Sequence, residues 1–299
     1  MKLMINLPDL SVLYNEPMKK HTTLGIGGPV QAMYFPQTVS CMVQLLDKLH
    51  EQDITPFILG NGSNLLVEDK PLDIVVINTK KLQNIEMTEA VNGNYEITAD
   101  SGVLLSELAT FASNHELTGF EFAHGIPGTL GGAVLMNAGA YEGEMNDVVY
   151  STRAYSRKNG EYTITEAEHG FSYRNSVFEH SGDVILSSTI RLEKGDKDLI
   201  AKKMKNLTKR RRESQPLDIK SAGSTFKRPK DGYAATLIEQ AGLKGFSIGG
   251  AQVSEKHAGF VINTGNATFK DFMSVIEHVQ EVVLKHTGIK LEPEVKILR

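Results

Sequence analysis

Cysteine is almost missing from this 299-residue chain: the single one, Cys41, excludes an intramolecular disulfide and a cysteine-built metal site. Inert packing is its expected role, and such sparing use fits a reducing compartment. Long apolar runs are lacking as well. No stretch approaches the roughly 20 apolar residues that cross a bilayer. Met1 to Lys20, interrupted by Asp9, Glu16, Lys19 and Lys20, has neither the apolar core nor the cleavage pattern of a signal peptide. The chain is therefore expected in the cytoplasm. Nor does charge of one sign dominate: 32 Lys and Arg against 36 Asp and Glu leave a formal net charge of -4. There is no global field to hold a nucleic acid or an anionic membrane, so any anion must be held by local loops. Fixed-period repeats and low-complexity tracts are missing too, which excludes a solenoid or a linker protein.

What is present is an ordinary globular composition, 40% hydrophobic and 23% charged, with enough chain for two or three small cores. Apolar residues at Met42, Leu45, Leu46 and Leu49 have helical spacing, so a helix is predicted over Val39 to Asp53, followed by a strand over Pro56 to Leu59. Strands are predicted at Asp73 to Asn78, Tyr95 to Ala99, Val148 to Tyr155 and Asp183 to Leu192. Helices are predicted at Leu104 to His115 and, fronted by glycine, at Gly131 to Asn137. The charged run Glu193-Lys194-Gly195-Asp196 reads as a turn and a domain boundary. Beyond it come a basic helix over Asp198 to Arg212, a loop to Arg228, a helix over Tyr233 to Ala241 and a strand over Gly259 to Asn263. A long helix over Phe269 to His286 and a last strand over Glu294 to Leu298 complete the chain. The whole is α+β, with segments 1–79, 80–195 and 196–299.

Three segments concentrate glycine and small polar residues: Leu24 to Pro29, Gly60 to Asn64 and Gly125 to Gly132. In Gly60-Asn61-Gly62-Ser63-Asn64, directly after a strand, glycines can take positive φ and turn amide groups inward, while Ser63 and Asn64 add side-chain donors. Ile126-Pro127-Gly128-Thr129-Leu130-Gly131-Gly132 leads into a helix, whose free amides and dipole would make a second anion site. Either loop alone is more often a tight turn; two together suit a pyrophosphate. Neither has the P-loop spacing nor the strand-Gly-x-Gly-x-x-Gly-helix form of the dinucleotide fold, so an unusual nucleotide fold is implied.

Beside these loops stand further short motifs: His21 to Gly28, Phe122 to Gly139 through Asn137-Ala138-Gly139, and Tyr173-Arg174-Asn175-Ser176. The second half adds Ser221 to Lys227, Gly249-Gly250-Ala251, His257 to Phe260 and Glu292 to Val295. In this order and spacing the sequence resembles the UDP-N-acetylenolpyruvoylglucosamine reductases over nearly its whole length. The resemblance implies a two-subdomain FAD-binding domain of the PCMH or VAO type, residues 1–79 and 80–195, and a smaller α+β substrate-binding domain, residues 196–299. No long insertion separates Arg174 from Ser224, so the chain is similar to the compact form of the family, without the tyrosine-bearing substrate loop.

The activity implied by the resemblance is NADPH-dependent reduction of UDP-N-acetylglucosamine-enolpyruvate to UDP-N-acetylmuramate, for peptidoglycan synthesis. The hydride passes in ping-pong order through the N5 of a noncovalent FAD. By the same resemblance Ser224 is the proton donor, Arg174 holds the substrate carboxylate, and Glu294 polarises that carboxylate or orients Arg174. Tyr173 and Lys227 are implied at the substrate. Gly60, Asn61, Gly62, Ser63, Asn64, Ile126, Pro127, Gly128, Thr129, Gly131, Gly132, Asn137 and Gly139 are implied at the FAD. The cluster Lys209 to Arg212 could attract phosphates or be a solvated face; His124 and His257 read as hydrogen-bonding structural residues, and no metal is expected. A flavin oxidase would keep the glycine loops without needing the Ser224 and Glu294 motifs, and a non-catalytic nucleotide-binding module would be colourless.

Overall fold

A computed structural model describes residues 5–90 and 93–299; the first four residues of the Met1 to Lys20 segment lie outside it. The chain divides into two compact units. One comprises Met1–Tyr14, Ala32–Asn61 and Ile74–Arg210, the other Asn15–Gln31, Gly62–Asp73 and Arg211–Arg299. These units do not follow chain order as the segments 1–79, 80–195 and 196–299 do. The helix Lys197–Ser214 is tied to the first unit by Ile200 in the interior, by Lys203 on Glu121 at 3.1 Å and by the Tyr141 hydroxyl on the carbonyl of Leu207 at 3.0 Å. Leu65–Val67, far earlier in the chain, pairs in parallel with the final strand Lys296–Leu298.

Among the described residues the first unit holds two larger sheets and a two-stranded ribbon, Gly139–Ala140 with Gly143–Glu144. A four-stranded sheet runs in the order Leu10–Pro17, Pro29–Pro36, Leu72–Asn78, Phe57–Leu59, and the division between the units falls within the first three strands. Helix Val39–Glu51 buries Met42, Leu45, Leu46 and Leu49 against Ala32, Tyr34, Val75 and Ile77. Thr38 starts that helix, its hydroxyl accepting the Cys41 amide at 3.1 Å. Cys41 itself is buried, and burial pushes its thiol pKa up.

A six-stranded antiparallel sheet has the path Gly160–Thr165, Val149–Ser156, Val184–Lys194, Tyr95–Asp100, Ile85–Glu89. Leu117–Thr118 pairs with the far end of the central strand. That last pairing corrects the expected turn at Glu193-Lys194. Both residues continue the strand, opposite Thr118 and Leu117, and the turn is Gly195-Asp196. Asp196 then accepts the Asp198 and Leu199 amides, each at 2.9 Å, and starts the Lys197–Ser214 helix.

In the second unit Lys220–Ser221, Val261–Asn263, Ala251–Val253 and Ser247–Ile248 form an antiparallel sheet in that order. Helix Phe269–Thr287 buries Phe272, Val275, Ile276, Val279 and Val283 in the same core. A capping box of Thr268 and Asp271 starts it and Gly288, at φ 73°, ends it. The last strand begins at Lys296 rather than Glu294, because Glu294 and Val295 turn their amides to the Thr225 carbonyl instead. Among the described residues no helix is long and apolar enough to cross a membrane.

Candidate functional site

In the first unit the two glycine loops meet. Asn61, beyond the strand Phe57–Leu59, donates from Nδ2 to the Pro127 carbonyl at 2.7 Å. Gly60 is pressed on Thr129 so closely that a β-carbon there would run into Thr129 Oγ1. Leu105 donates its amide to Gly128 at 3.0 Å, fixing the second loop from the other side. Thr129 caps the helix Leu130–Leu135 with extended backbone. Ile126 and Gly128 are half-buried and Pro127 and Gly132 exposed.

The helix start is less open than its sequence suggests. Leu130 donates its amide to Val103 at 2.8 Å and Gly131 to Ser101 at 2.9 Å, so these amides serve the fold rather than an anion. The unsatisfied groups are hydroxyls. Among the described residues Thr129 Oγ1 and Ser101 Oγ, each on a residue 2% exposed, have no hydrogen-bond partner. A buried hydroxyl without a partner costs about 1–3 kcal/mol, and such groups in a native fold await a polar ligand or water. This fits a cofactor whose polar groups lie against the two loops. Ser101 is a candidate the sequence reading missed. The available signal was Asp100-Ser101-Gly102 between a strand and a helix, the same form as the loops that were recognised.

Asn137, expected at the cofactor, is buried. Its residue is 0% exposed, Nδ2 donates to the Ser172 carbonyl at 3.2 Å, and Oδ1 accepts the Asn146 amide at 2.9 Å. The carboxamide is turned into the protein because the chain reverses there with φ 43°. Gly139 lies in a two-stranded ribbon, paired with Glu144.

Tyr173 and Arg174 form the tip of a two-residue turn closed by Ser172 and Asn175, whose amides and carbonyls exchange two bonds of 3.1 Å. Arg174 has φ 56°, its guanidinium 5.2 Å from the Tyr173 ring centroid, and Tyr173 is 52% exposed. The cluster Lys209 to Arg212 ends the Lys197–Ser214 helix, with Arg210 4.9 Å from the Tyr141 ring centroid. His124 Nδ1 lies 3.3 Å from the Thr208 hydroxyl, a structural contact within this unit.

In the second unit Gly62 takes φ 61° and passes its carbonyl to the Thr23 amide at 3.2 Å; Ser63 follows in the turn. Asn64 donates from Nδ2 to the Glu294 carbonyl at 3.1 Å and receives the Lys296 amide at 3.0 Å. Thr225 anchors the Ser224 loop on three sides. Its amide donates to Gly259 at 2.8 Å, its hydroxyl accepts from Val261 at 2.9 Å, and its carbonyl accepts from Glu294 at 2.8 Å. Ser224 and Glu294 are thus held on neighbouring backbone, both half-buried. Lys227, 3.5 Å from Glu292 Oε2, forms a largely exposed ion pair beside them. His257 accepts the Gly259 amide at Nδ1, 3.2 Å away, and burial holds its pKa below the usual imidazole value.

Residues 30–166 match the model of an FAD binding domain, and residues 215–298 match the UDP-N-acetylenolpyruvoylglucosamine reductase C-terminal domain. The UDP-N-acetylenolpyruvoylglucosamine reductase of Caldanaerobacter subterraneus subsp. tengcongensis is 49% identical over 99% of this chain and 97% of its own length. This chain belongs to the UDP-N-acetylenolpyruvoylglucosamine reductase family. The reductase of Agathobacter rectalis is 46% identical, over 98% of this chain and 95% of that one. The crystal structure of the family member from Thermus caldophilus superposes with a TM-score of 0.82 at 30% identity, covering 97% of this chain and 99% of that one. As in the family, the fold combines an FAD-binding domain with the family's own C-terminal domain, and the chain is a flavin-dependent oxidoreductase. The Thr129 hydroxyl falls in a loop where the family resemblance puts the FAD, and Ser101, whose carbonyl accepts the Gly131 amide, adjoins that loop.

Proposed function

We propose that this protein uses NADPH to reduce the enolpyruvyl ether of a UDP-N-acetylglucosamine to the corresponding lactyl ether, the step that completes UDP-N-acetylmuramate for peptidoglycan. The observation that carries this reading is the 49% identity, over 99% of the chain, to a protein named for that reduction. FAD, held noncovalently by the Gly60-Asn61 and Ile126–Gly132 loops with Ser101 and Thr129, supplies two-electron hydride chemistry. NADPH and the enolpyruvyl substrate react in turn.

Hydride arriving at the terminal carbon of the enolpyruvyl group leaves negative charge on its neighbour, delocalised into the attached carboxylate. Arg174, with a planar fork of N–H donors, matches that carboxylate and follows the growing charge. Ser224 donates its hydroxyl proton to the carbon, completing addition across the double bond. A serine hydroxyl is a weak acid, so the alkoxide left behind needs a cation, and Lys227 is three residues along. The bond of the Glu294 amide to the carbonyl of Thr225 supports a role for Glu294 beside Ser224. Tyr173 serves the substrate, the Lys209–Arg212 cluster attracts its diphosphate or the phosphates of NADPH, and the protein works in the cytoplasm.

The test is anaerobic absorbance of the purified yellow protein. NADPH bleaches the flavin, and colour returns on adding the enolpyruvyl nucleotide-sugar. A protein that reoxidises with oxygen and ignores this substrate is an oxidase instead.

A further inference from the structure

We infer that Asn137 is a positioning residue for Arg174, holding through its carboxamide the turn that presents the guanidinium; the inference rests on the role proposed for Arg174. Asn137 sits where the helix Leu130–Leu135 ends. Ala138 donates its amide to Ala133 at 2.8 Å and Asn137 to Val134 at 3.3 Å, the paired bonds of a Schellman ending, which requires a left-handed residue at position 137. Glycine is the usual occupant. Asparagine tolerates that conformation too, and it adds a side chain with donor and acceptor.

Both ends of that side chain are used. Oδ1 accepts the Asn146 amide at 2.9 Å, which fixes the plane of the carboxamide and aims Nδ2 at the Ser172 carbonyl. This carbonyl also accepts the Asn175 amide at 3.1 Å, the bond that closes the Tyr173-Arg174 turn. One oxygen therefore serves as the closing point of the turn and as its anchor.

The turn needs an anchor because Arg174 is left-handed, at φ 56°, where a residue with a β-carbon loses on the order of 1 kcal/mol. A second tie restrains the other side. Ser176, 0% exposed, donates from Oγ to the Leu135 carbonyl at 2.8 Å, on the last turn of the same helix. Farther out, His169 stacks on Phe171 with ring centroids 4.8 Å apart, and its carbonyl accepts the Val177 amide at 2.9 Å. The segment from Phe171 to Val177 is fixed at each end, and its middle hangs on Asn137.

The helix end links two parts of the proposed chemistry. Thr129 stands at the N-terminus of the Leu130–Leu135 helix and Asn137 just beyond its C-terminus. A cofactor against Thr129 and a carboxylate on Arg174 would be referred to one rigid element, and Asn137 is the link at the substrate end.

The experiment compares the intact holoenzyme with Asn137→Gly, Arg174→Lys and the double variant. Glycine preserves the left-handed helix ending, so Asn137→Gly removes only the carboxamide. Flavin content, the rate of bleaching by NADPH, the rate of colour return on the enolpyruvyl substrate and the thermal midpoint are measured for each. Asn137→Gly is expected to keep its flavin and its bleaching rate while colour return slows on the order of tenfold or more, since small misplacements of a positioning group carry such costs. The double variant is expected to be little slower than Arg174→Lys alone, because residues acting as a unit are not additive.

Normal colour return in Asn137→Gly with slow return in Arg174→Lys overturns the positioning role and leaves Arg174 in place. Normal return in Arg174→Lys removes both. Multiplying effects, or lost flavin in Asn137→Gly, assign Asn137 to something other than Arg174. Should Asn137→Gly not fold, Ser176→Ala cuts the second tie; unchanged colour return there overturns the anchored turn.

Discussion

Asn64 and Glu294, 230 positions apart, are joined by one bond from Asn64 Nδ2 to the Glu294 carbonyl at 3.1 Å, and two residues on the Lys296 amide donates to the Asn64 carbonyl at 3.0 Å. The side-chain bond fixes the backbone of the residue proposed to act beside Ser224. Asn64→Ala keeps the backbone bond and loses the other, so unfolding should become easier by about 1 kcal/mol. Colour return should slow more than bleaching does. Urea denaturation and the two half-reactions measured separately check this; equal slowing of both would place Asn64 elsewhere.

The unpartnered hydroxyl of Thr129 gives a prediction with opposite signs. Thr129→Val removes a buried polar atom that nothing among the described residues satisfies. The flavin-free protein should therefore be unharmed, or stabilised by up to about 1 kcal/mol, as expected when an unsatisfied group is replaced by an apolar one of the same shape. Flavin affinity should fall in the same variant. Thermal midpoints of the apoprotein and a flavin titration decide it; undiminished affinity would show that Thr129 does not face the cofactor.

At Gly60 the expectation is steric. A β-carbon at Gly60 would run into Thr129 Oγ1, so the Thr129 side chain or the loop that carries it must shift. Gly60→Ala should cost about 1–3 kcal/mol of stability, the usual cost of overpacking, and lower the blue absorbance per mole of purified protein. A variant as yellow and as stable as the parent would show that the close approach is relieved without cost.

Acid should destabilise the protein through its buried histidines. Burial pushes the His169 pKa below its ordinary 6.5, against smaller raising effects from the Glu166 carbonyl and Glu168, and burial likewise lowers His257. A histidine lowered in the folded state is protonated more readily when unfolded. Its contribution is complete above pH 6.5 and is lost as the pH falls from there through the folded value. The urea midpoint should drop on acidification below neutrality, and His169→Gln, able to keep a bond to Thr152, should flatten part of that drop. An unchanged slope would exclude His169 as a contributor.

Much of the element order was readable from periodicity. The Val39–Glu51 helix buries the apolar stripe foreseen, and the helix foreseen over Phe269 to His286 forms as Phe269–Thr287, because an apolar face at 3.6-residue spacing has few alternatives. The strand through Glu193 and Lys194 was not readable. Its charged residues look like a turn, and only the distant Leu117–Thr118 pairing makes them a ladder. Short strands such as this one are decided by their partners.

Family membership followed from motif order and spacing, and so did the candidate roles of Arg174, Ser224 and Glu294, since motif identity is a property of the chain alone. Propensity also placed glycine where Gly62 turns left-handed. The tertiary structure alone decided that the amides of Leu130 and Gly131 serve Val103 and Ser101, and that the Ser101 and Thr129 hydroxyls are left over. It also turned the Asn137 carboxamide inward to the carbonyl of Ser172, 35 positions away. Hydrogen bonds between distant segments depend on where the fold brings each backbone group, and no local pattern of residues specifies that.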